Sequence, residues 1–283
     1  MQASRPLTER LWVTAVWALT IFFVINLIAI IATVVVSSFA TRWLGTWLPA
    51  GWTTRWYSSA WDEFQLGGIG GVLAVTFEAV FGVVLLSAVL GIPAAYALAR
   101  RDFPGKKLVT LLFLLPLLVP PVTYGIPLTT VLYKVGLGST LAGVIIANLV
   151  PALPFVILVM IPFIEQIDPR LEAAARVFGA RTASIFRHVL IPLLLPGALA
   201  ALLLVMVRTI AMFELTFLIA GSDSQTLVVS LYAAVTASGV RAPQSIDAMA
   251  VIYMLSTLIW LVIALRFINP TQMVTRVKKQ PAH

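Results

Sequence analysis

The chain contains no cysteine. Disulfides, thiol nucleophiles and thiolate metal sites are therefore excluded. Histidine is almost as scarce: His188 and His283 are the only two, too few and too far apart for a metal site or a nucleophile-histidine-carboxylate triad. Charge is scarce too. Asp, Glu, Lys and Arg make up 11% of the 283 residues, against 60% hydrophobic ones, and the mean hydropathy is +1.02. No water-soluble domain has such a surface to offer, so the apolar runs must face lipid. Motifs for covalent chemistry are missing as well. Gly105-Lys106-Lys107 is the one Gly-Lys pair, and it lacks the earlier glycine and the hydroxyl residue of a G-x4-G-K-[ST] phosphate loop. Neither G-x-S-x-G nor H-E-x-x-H occurs. No catalytic residue, metal or cofactor is expected, and the chain cannot itself hydrolyse ATP.

What the chain has is apolar length. Six stretches can cross a bilayer: Leu11 to Thr41, Val72 to Ala99, Leu108 to Leu132, Ser139 to Ile164, Val189 to Ala220 and Ala248 to Leu265. The first is about twice the length of a signal-peptide core, which reads as an uncleaved helix. The third carries Pro116, Pro120 and Pro121 and must kink; the carbonyls that proline frees are tolerated in hydrocarbon only where protein or a cavity satisfies them. The fourth holds Pro151, Pro154 and Pro162. Residues 42–71 form a Trp-rich loop expected to anchor at headgroup level, and a short surface helix is expected around Leu227 to Val235. This gives an all-α polytopic membrane protein with six transmembrane helices. Its parts are an N-terminal helix and loop (1–70), a core of five helices (71–267) and a polar tail (268–283).

The net charge of +8 fits loops better than nucleic acid. With the N-terminus inside, fourteen Lys and Arg fall on the cytoplasmic side and four (Arg42, Arg55, Lys134, Arg241) fall outside, with Arg208 at depth. Basic residues in short loops stay in the cytoplasm, so both termini are expected there. Glu78, Arg208 and Glu214 lie inside spans, where each costs at least roughly 2.5 to 3.5 kcal/mol and so is expected to face a cavity or a partner.

The most patterned stretch runs from Asp168 to Pro196, starting in a basic cytoplasmic loop, 165–188, and ending in the span that follows. Asp168 can cap a helix whose first turn suits Pro169. Leu171, Ala174, Ala175 and Phe178 share a face, Gly179 supplies a left-handed exit, and Thr182 can cap a second short helix. The stretch resembles the signature loop of ABC importer permeases, E-A-A-x3-G-x9-I-x-L-P: Gly179 and Pro192 are in register, with Ala174 and Ala175 as the paired alanines. Ala173 stands where the signature has Glu, and the nearest carboxylate, Glu172, is turned about 100° round the helix. From about Gly71 to Phe267 the resemblance is looser and points to the branch serving polyamines, iron and related polar solutes.

That resemblance implies a type I, binding-protein-dependent importer in a bacterial inner membrane. It implies a second permease subunit of different sequence, two cytoplasmic ATPase subunits and a periplasmic solute-binding protein as partners. Coupling to the ATPase is expected of Leu171, Glu172, Ala174, Ala175, Phe178, Gly179 and Arg181, and a translocation path of Glu78, Tyr124, Phe213, Glu214 and Phe217. A carboxylate at Glu214 would favour an amine-bearing, polyamine-like or iron-type cation. Three other readings stay open: a sugar or phosphonate importer of the same kind, a secondary transporter, which commonly needs more helices, and a membrane enzyme, for which catalytic residues are wanting.

Overall fold

A computed structural model describes residues 7–43, 46–62, 68–237 and 241–267, and within them the regular structure is helical apart from an isolated bridge between Ala40 and Trp52. Among the described residues, five helices are long and apolar enough to cross a membrane, or six if one sharply bent pair counts as a single span. The polar tail from 268 onward lies outside the described residues. Contacts group the chain into two compact units, Met1–Asp62 with Ala234–Ile252, and Glu63–Ala233 with Tyr253–His283.

In the first unit, α1 (Leu7–Ser38) exposes its large side chains from Leu11 to Ile31, as a helix surrounded by acyl chains does. The hydroxyls of Thr20 and Thr33 donate back to the carbonyls of Val16 and Ala29 at 2.8 Å, so neither meets hydrocarbon unpaired. The Trp-rich segment is not all loop. Arg55–Asp62 forms a helix, α2, and the Trp56 indole donates to the Ala40 carbonyl at 2.7 Å. The Ser37 hydroxyl, at the end of α1, donates to Asp247.

The second unit holds the core. Its first span is continuous from Ile69 to Arg100: α3 (Ile69–Leu86), a π-helical turn at Ser87–Gly91 and α4 (Ile92–Arg100). The expected kink in the next span is a break. α5 (Lys106–Leu118) and α6 (Pro121–Lys134) meet at 103°. Pro120 drives Val119 out of the helical region and Pro121 does the same to Pro120, leaving both extended (ψ 135° and 134°). α7 (Leu141–Glu165) is the central helix, capped by the Thr140 hydroxyl, which accepts from the Gly143 N–H at 3.0 Å. Its three prolines are tolerated because neighbours pack around it on several sides, α3, α4, α5 and α11 among them.

After α8 (Pro169–Val177) the reading of a separate second helix fails. Arg181, not Thr182, occupies the cap, and α9 (Thr182–Ile185) continues through a π-helical turn at Phe186–Leu190 into α10 (Ile191–Ile210) as one 29-residue helix. The fifth span also stops early, at Ile210 rather than Ala220. A break at 211–213 precedes a short helix, α11 (Glu214–Ile219). α12 (Leu227–Thr236) and α13 (Pro243–Phe267) are the last helices among the described residues. One cluster of buried side chains joins α3, α4, α7, α9 and α10 around Val156, Met160, Ile164 and Leu194. A second, around Val144, Leu215 and Ile219, seats α11 against α6 and α7.

Candidate functional site

Two groups of candidate residues can be placed. The first is the knob formed by α8 and its exit. The Asp168 carboxylate accepts from the Arg170 N–H at 2.9 Å, which satisfies one of the orphan donors of the first turn. At the other end the Ala180 N–H reaches back to the Ala175 carbonyl at 3.0 Å and the Gly179 N–H to that of Arg176 at 2.9 Å, with Gly179 at φ +81°. This paired closure stops the helix sharply and leaves its last hydrophobic residues outside. Phe178 is 90% exposed and Val177 86%, with Leu171 beside them also exposed. Val177 is not among the coupling residues expected from the sequence, although its exposure puts it at the tip with Phe178.

The other knob candidates divide. Ala174 and Arg181 are exposed, whereas Ala175 is half-buried and packs on the main core. Glu172 points inward. It is 8% exposed; one carboxylate oxygen accepts from the Tyr96 hydroxyl at 2.5 Å, and the other lies 3.3 Å from the Arg100 guanidinium. Tyr96 and Arg100 are on α4, 72 to 76 residues distant in sequence, and no local signal linked them to the loop.

The second group surrounds the 211–213 break that follows α10. Because α10 ends at Ile210, Glu214 opens a new helix, and its angular relation to Arg208 does not follow the rotation of a continuous span. The Tyr124 hydroxyl on α6 is buried without a hydrogen-bond partner among the described residues. Glu214 is half-buried, and behind it Phe213 and Phe217 stack at 5.1 Å, both against the Tyr232 ring at 4.7 and 5.4 Å. The Arg208 guanidinium sits 4.7 Å over the Phe155 ring. Asn148, 3% exposed on α7, donates to the Thr216 hydroxyl at 3.0 Å and so fixes α11 in place. Three of the five path candidates, Phe213, Glu214 and Phe217, thus sit together at the start of α11, and Tyr124 is on α6, against which α11 packs. Glu78 stands apart from them: it is exposed on α3, and among the described residues no hydrogen bond or ion pair joins it to Arg208 or to any other residue.

A basic knob with a bare apolar tip, set between two spans and followed by Pro192, is what the signature loop requires. Residues 87–273 match the family described as "Binding-protein-dependent transport system inner membrane component". The chain belongs to this family. Among curated relatives, a probable molybdenum ABC transporter permease protein of Haloferax volcanii is 32% identical over 166 residues, 56% of this chain and 61% of that one. A trehalose transport system permease protein of Mycobacterium tuberculosis is 37% identical over 123 residues, 44% of this chain and 45% of the relative. A molybdenum transport system permease protein of Haemophilus influenzae is 34% identical over 172 residues, 55% and 75% of the two chains. This chain thus spans less than two thirds of the length of the first two. In fold it is similar to a chain of a bacterial ABC transporter that imports alginate, with a TM-score of 0.77 at 17% identity over 95% of this chain and 100% of that one. It also resembles, less closely, a chain of an inward-facing methionine ABC transporter (TM-score 0.53, 19% identity, 71% and 92% covered).

Proposed function

We propose that this chain is one transmembrane permease subunit of an ATP-driven ABC importer in a bacterial inner membrane, a conduit and lever with no covalent chemistry of its own. Its partners are a second permease subunit of different sequence, two cytoplasmic ATPase subunits and a periplasmic solute-binding protein. The observation that carries this is the α8 knob, whose exposed Leu171, Val177 and Phe178 offer a rigid apolar tip to a partner's groove. Both termini are cytoplasmic on this reading. Because the chain has no cysteine, Arg176→Cys is a clean reporter: an impermeant maleimide added to intact cells leaves it unlabelled, while inverted vesicles label it. Labelling in intact cells would put the knob on the wrong side for any ATPase.

The solute is small and polar, and the half-buried Glu214 beside the Phe213, Phe217 and Tyr232 rings favours an amine-bearing or otherwise cationic one. Carboxylate and aromatic faces both attract cations. A second reading is an oxyanion or a sugar, which the exposed Arg208 favours and which accords with relatives named for molybdenum and trehalose. Uptake of putrescine and of sulfate by the assembled transporter separates the two. On the cation reading Glu214→Gln slows putrescine uptake about tenfold, the loss of one charge-assisted hydrogen bond, and leaves assembly unchanged. Sulfate uptake that falls with Arg208→Gln and ignores Glu214→Gln would reverse the assignment.

A further inference from the structure

We infer that Tyr96, Arg100 and Glu172 form a latch that carries movement of the α8 knob into two different spans, acting as positioning residues rather than as part of the ATPase contact. The inference rests on the importer reading above and assigns how the knob is tied to the rest of the chain.

Of the residues on α8, Glu172 is the one buried. Its two carboxylate oxygens are held separately, one by the Tyr96 hydroxyl and one by the Arg100 guanidinium, with the Arg100 and Glu172 side chains only 14% and 10% exposed. Arg100 also donates to the carbonyl of Ile167, the residue just before the Asp168 cap. A single guanidinium therefore hydrogen-bonds the entrance of α8 and pairs by charge, without a hydrogen bond, with its buried carboxylate. Tyr96 forms the second arm. Its ring stands edge-on to Phe186 at 5.9 Å and 90°, and Phe186 opens the π-helical turn leading into α10. Displacing α8 pulls on α4 through Arg100 and on the base of α10 through Tyr96. Each of these spans carries a π-helical turn close by, at Ser87–Gly91 and Phe186–Leu190, and such turns commonly mark functional irregularities in a helix.

A purely adhesive role fits the geometry less well. An ion pair buried in this way regains little more than its own desolvation, so an apolar contact would hold the knob as firmly. Polar groups distinguish the two arms: Oε2 takes the directional hydrogen bond from Tyr96, and Oε1 the charge of Arg100. The placement also accounts for Ala173 at the position of the signature's Glu. With the carboxylate one residue earlier, it faces the chain's own α4, and the exposed face of α8 offers a partner no Glu.

The test uses the complete importer, with its ATPase and binding protein, in liposomes. Phe217→Cys, in a chain with no other cysteine, reports on the path by its rate of maleimide labelling with and without ATP and vanadate. In that parent, trapping the nucleotide changes the labelling rate. Adding Glu172→Gln or Arg100→Gln leaves the ATPase subunits attached and hydrolysing ATP, because the outer face of the knob is untouched, yet cuts the nucleotide-dependent change about tenfold. Tyr96→Phe, which keeps the ring against Phe186, loses less. Exchanging the charges by combining Glu172→Arg with Arg100→Glu restores most of the response. Single variants that respond like their parent overturn the latch alone, as does an exchange no better than the singles. A parent with no response to nucleotide overturns the importer reading, and the latch falls with it.

Discussion

Phe178→Asp is expected to strip the ATPase subunits from the assembled transporter while the chain still inserts and folds. The side chain is 90% exposed, so its replacement costs the isolated chain almost nothing in packing. In a partner's groove, burial of a phenylalanine contributes about 1.5 to 3 kcal/mol. An aspartate in the same place loses that and adds the desolvation of a charge. A combined loss of roughly 3 kcal/mol or more weakens docking by over a hundredfold. Pull-down of the ATPase through a tagged permease in mild detergent measures it, and undiminished recovery would remove the knob from the interface. Gly179→Val is milder for a reason the structure makes explicit. No atom lies within 4 Å of where its Cβ would be, so crowding is absent, but φ of +81° costs a residue with a Cβ roughly 1 to 2 kcal/mol. The knob is then bent rather than blocked, and the ATPase is partly retained.

The knob was legible in the sequence because its stops are chemical. Asp168, Pro169 and Gly179 each act within a turn of their own position, and a cap needs no distant partner. The same local logic located the α5 to α6 break at its prolines, though not its angle, since how far a freed backbone swings depends on what packs beneath it. The end of α10 at Ile210 was invisible for the opposite reason. Ala211, Met212 and Phe213 include neither glycine nor proline, and hydropathy runs through them unbroken. What ends the helix there is tertiary: the Asn148 to Thr216 hydrogen bond and the packing of Leu215 and Ile219 hold α11 apart from it. A continuous helix would set Arg208 and Glu214, six residues apart, on different faces, but the fold does not build that helix. The helix α2 was hidden by its tryptophans, which composition alone assigns to an interface. The inward turn of Glu172 was half visible: one residue of displacement implied a different face, but Tyr96 and Arg100 are contacts across the fold that periodicity cannot reach.

Among single substitutions in the core, Gly143→Ala is expected to be severe, although it adds one methyl group within a helix former's preference. Gly143 lies in the first turn of α7, and a Cβ there would stand 2.1 Å from the Leu137 carbonyl oxygen. That oxygen is backbone and cannot rotate away. It also accepts from the Thr140 hydroxyl at 2.8 Å, and the same hydroxyl accepts from the Gly143 N–H to cap α7. Relieving the clash therefore breaks the cap, worth about 1 kcal/mol, and strains a tight turn in which Ser139 already has φ of +58°. With overpacking of about 1 to 3 kcal/mol, the sum is roughly 3 kcal/mol, a fall on the order of 10 °C in melting temperature. The damage reaches the candidate path, because the Ser139 N–H donates to the Ile219 carbonyl at the end of α11 at 3.0 Å. Moving the turn moves the helix that begins with Glu214, so uptake falls together with stability. Thermal unfolding in detergent, followed by tryptophan fluorescence, compares Gly143→Ala with Gly179→Ala, which meets no neighbour and loses only a few degrees. Equal melting of the two would mean that the Leu137 turn yields freely and does not hold α11 in register.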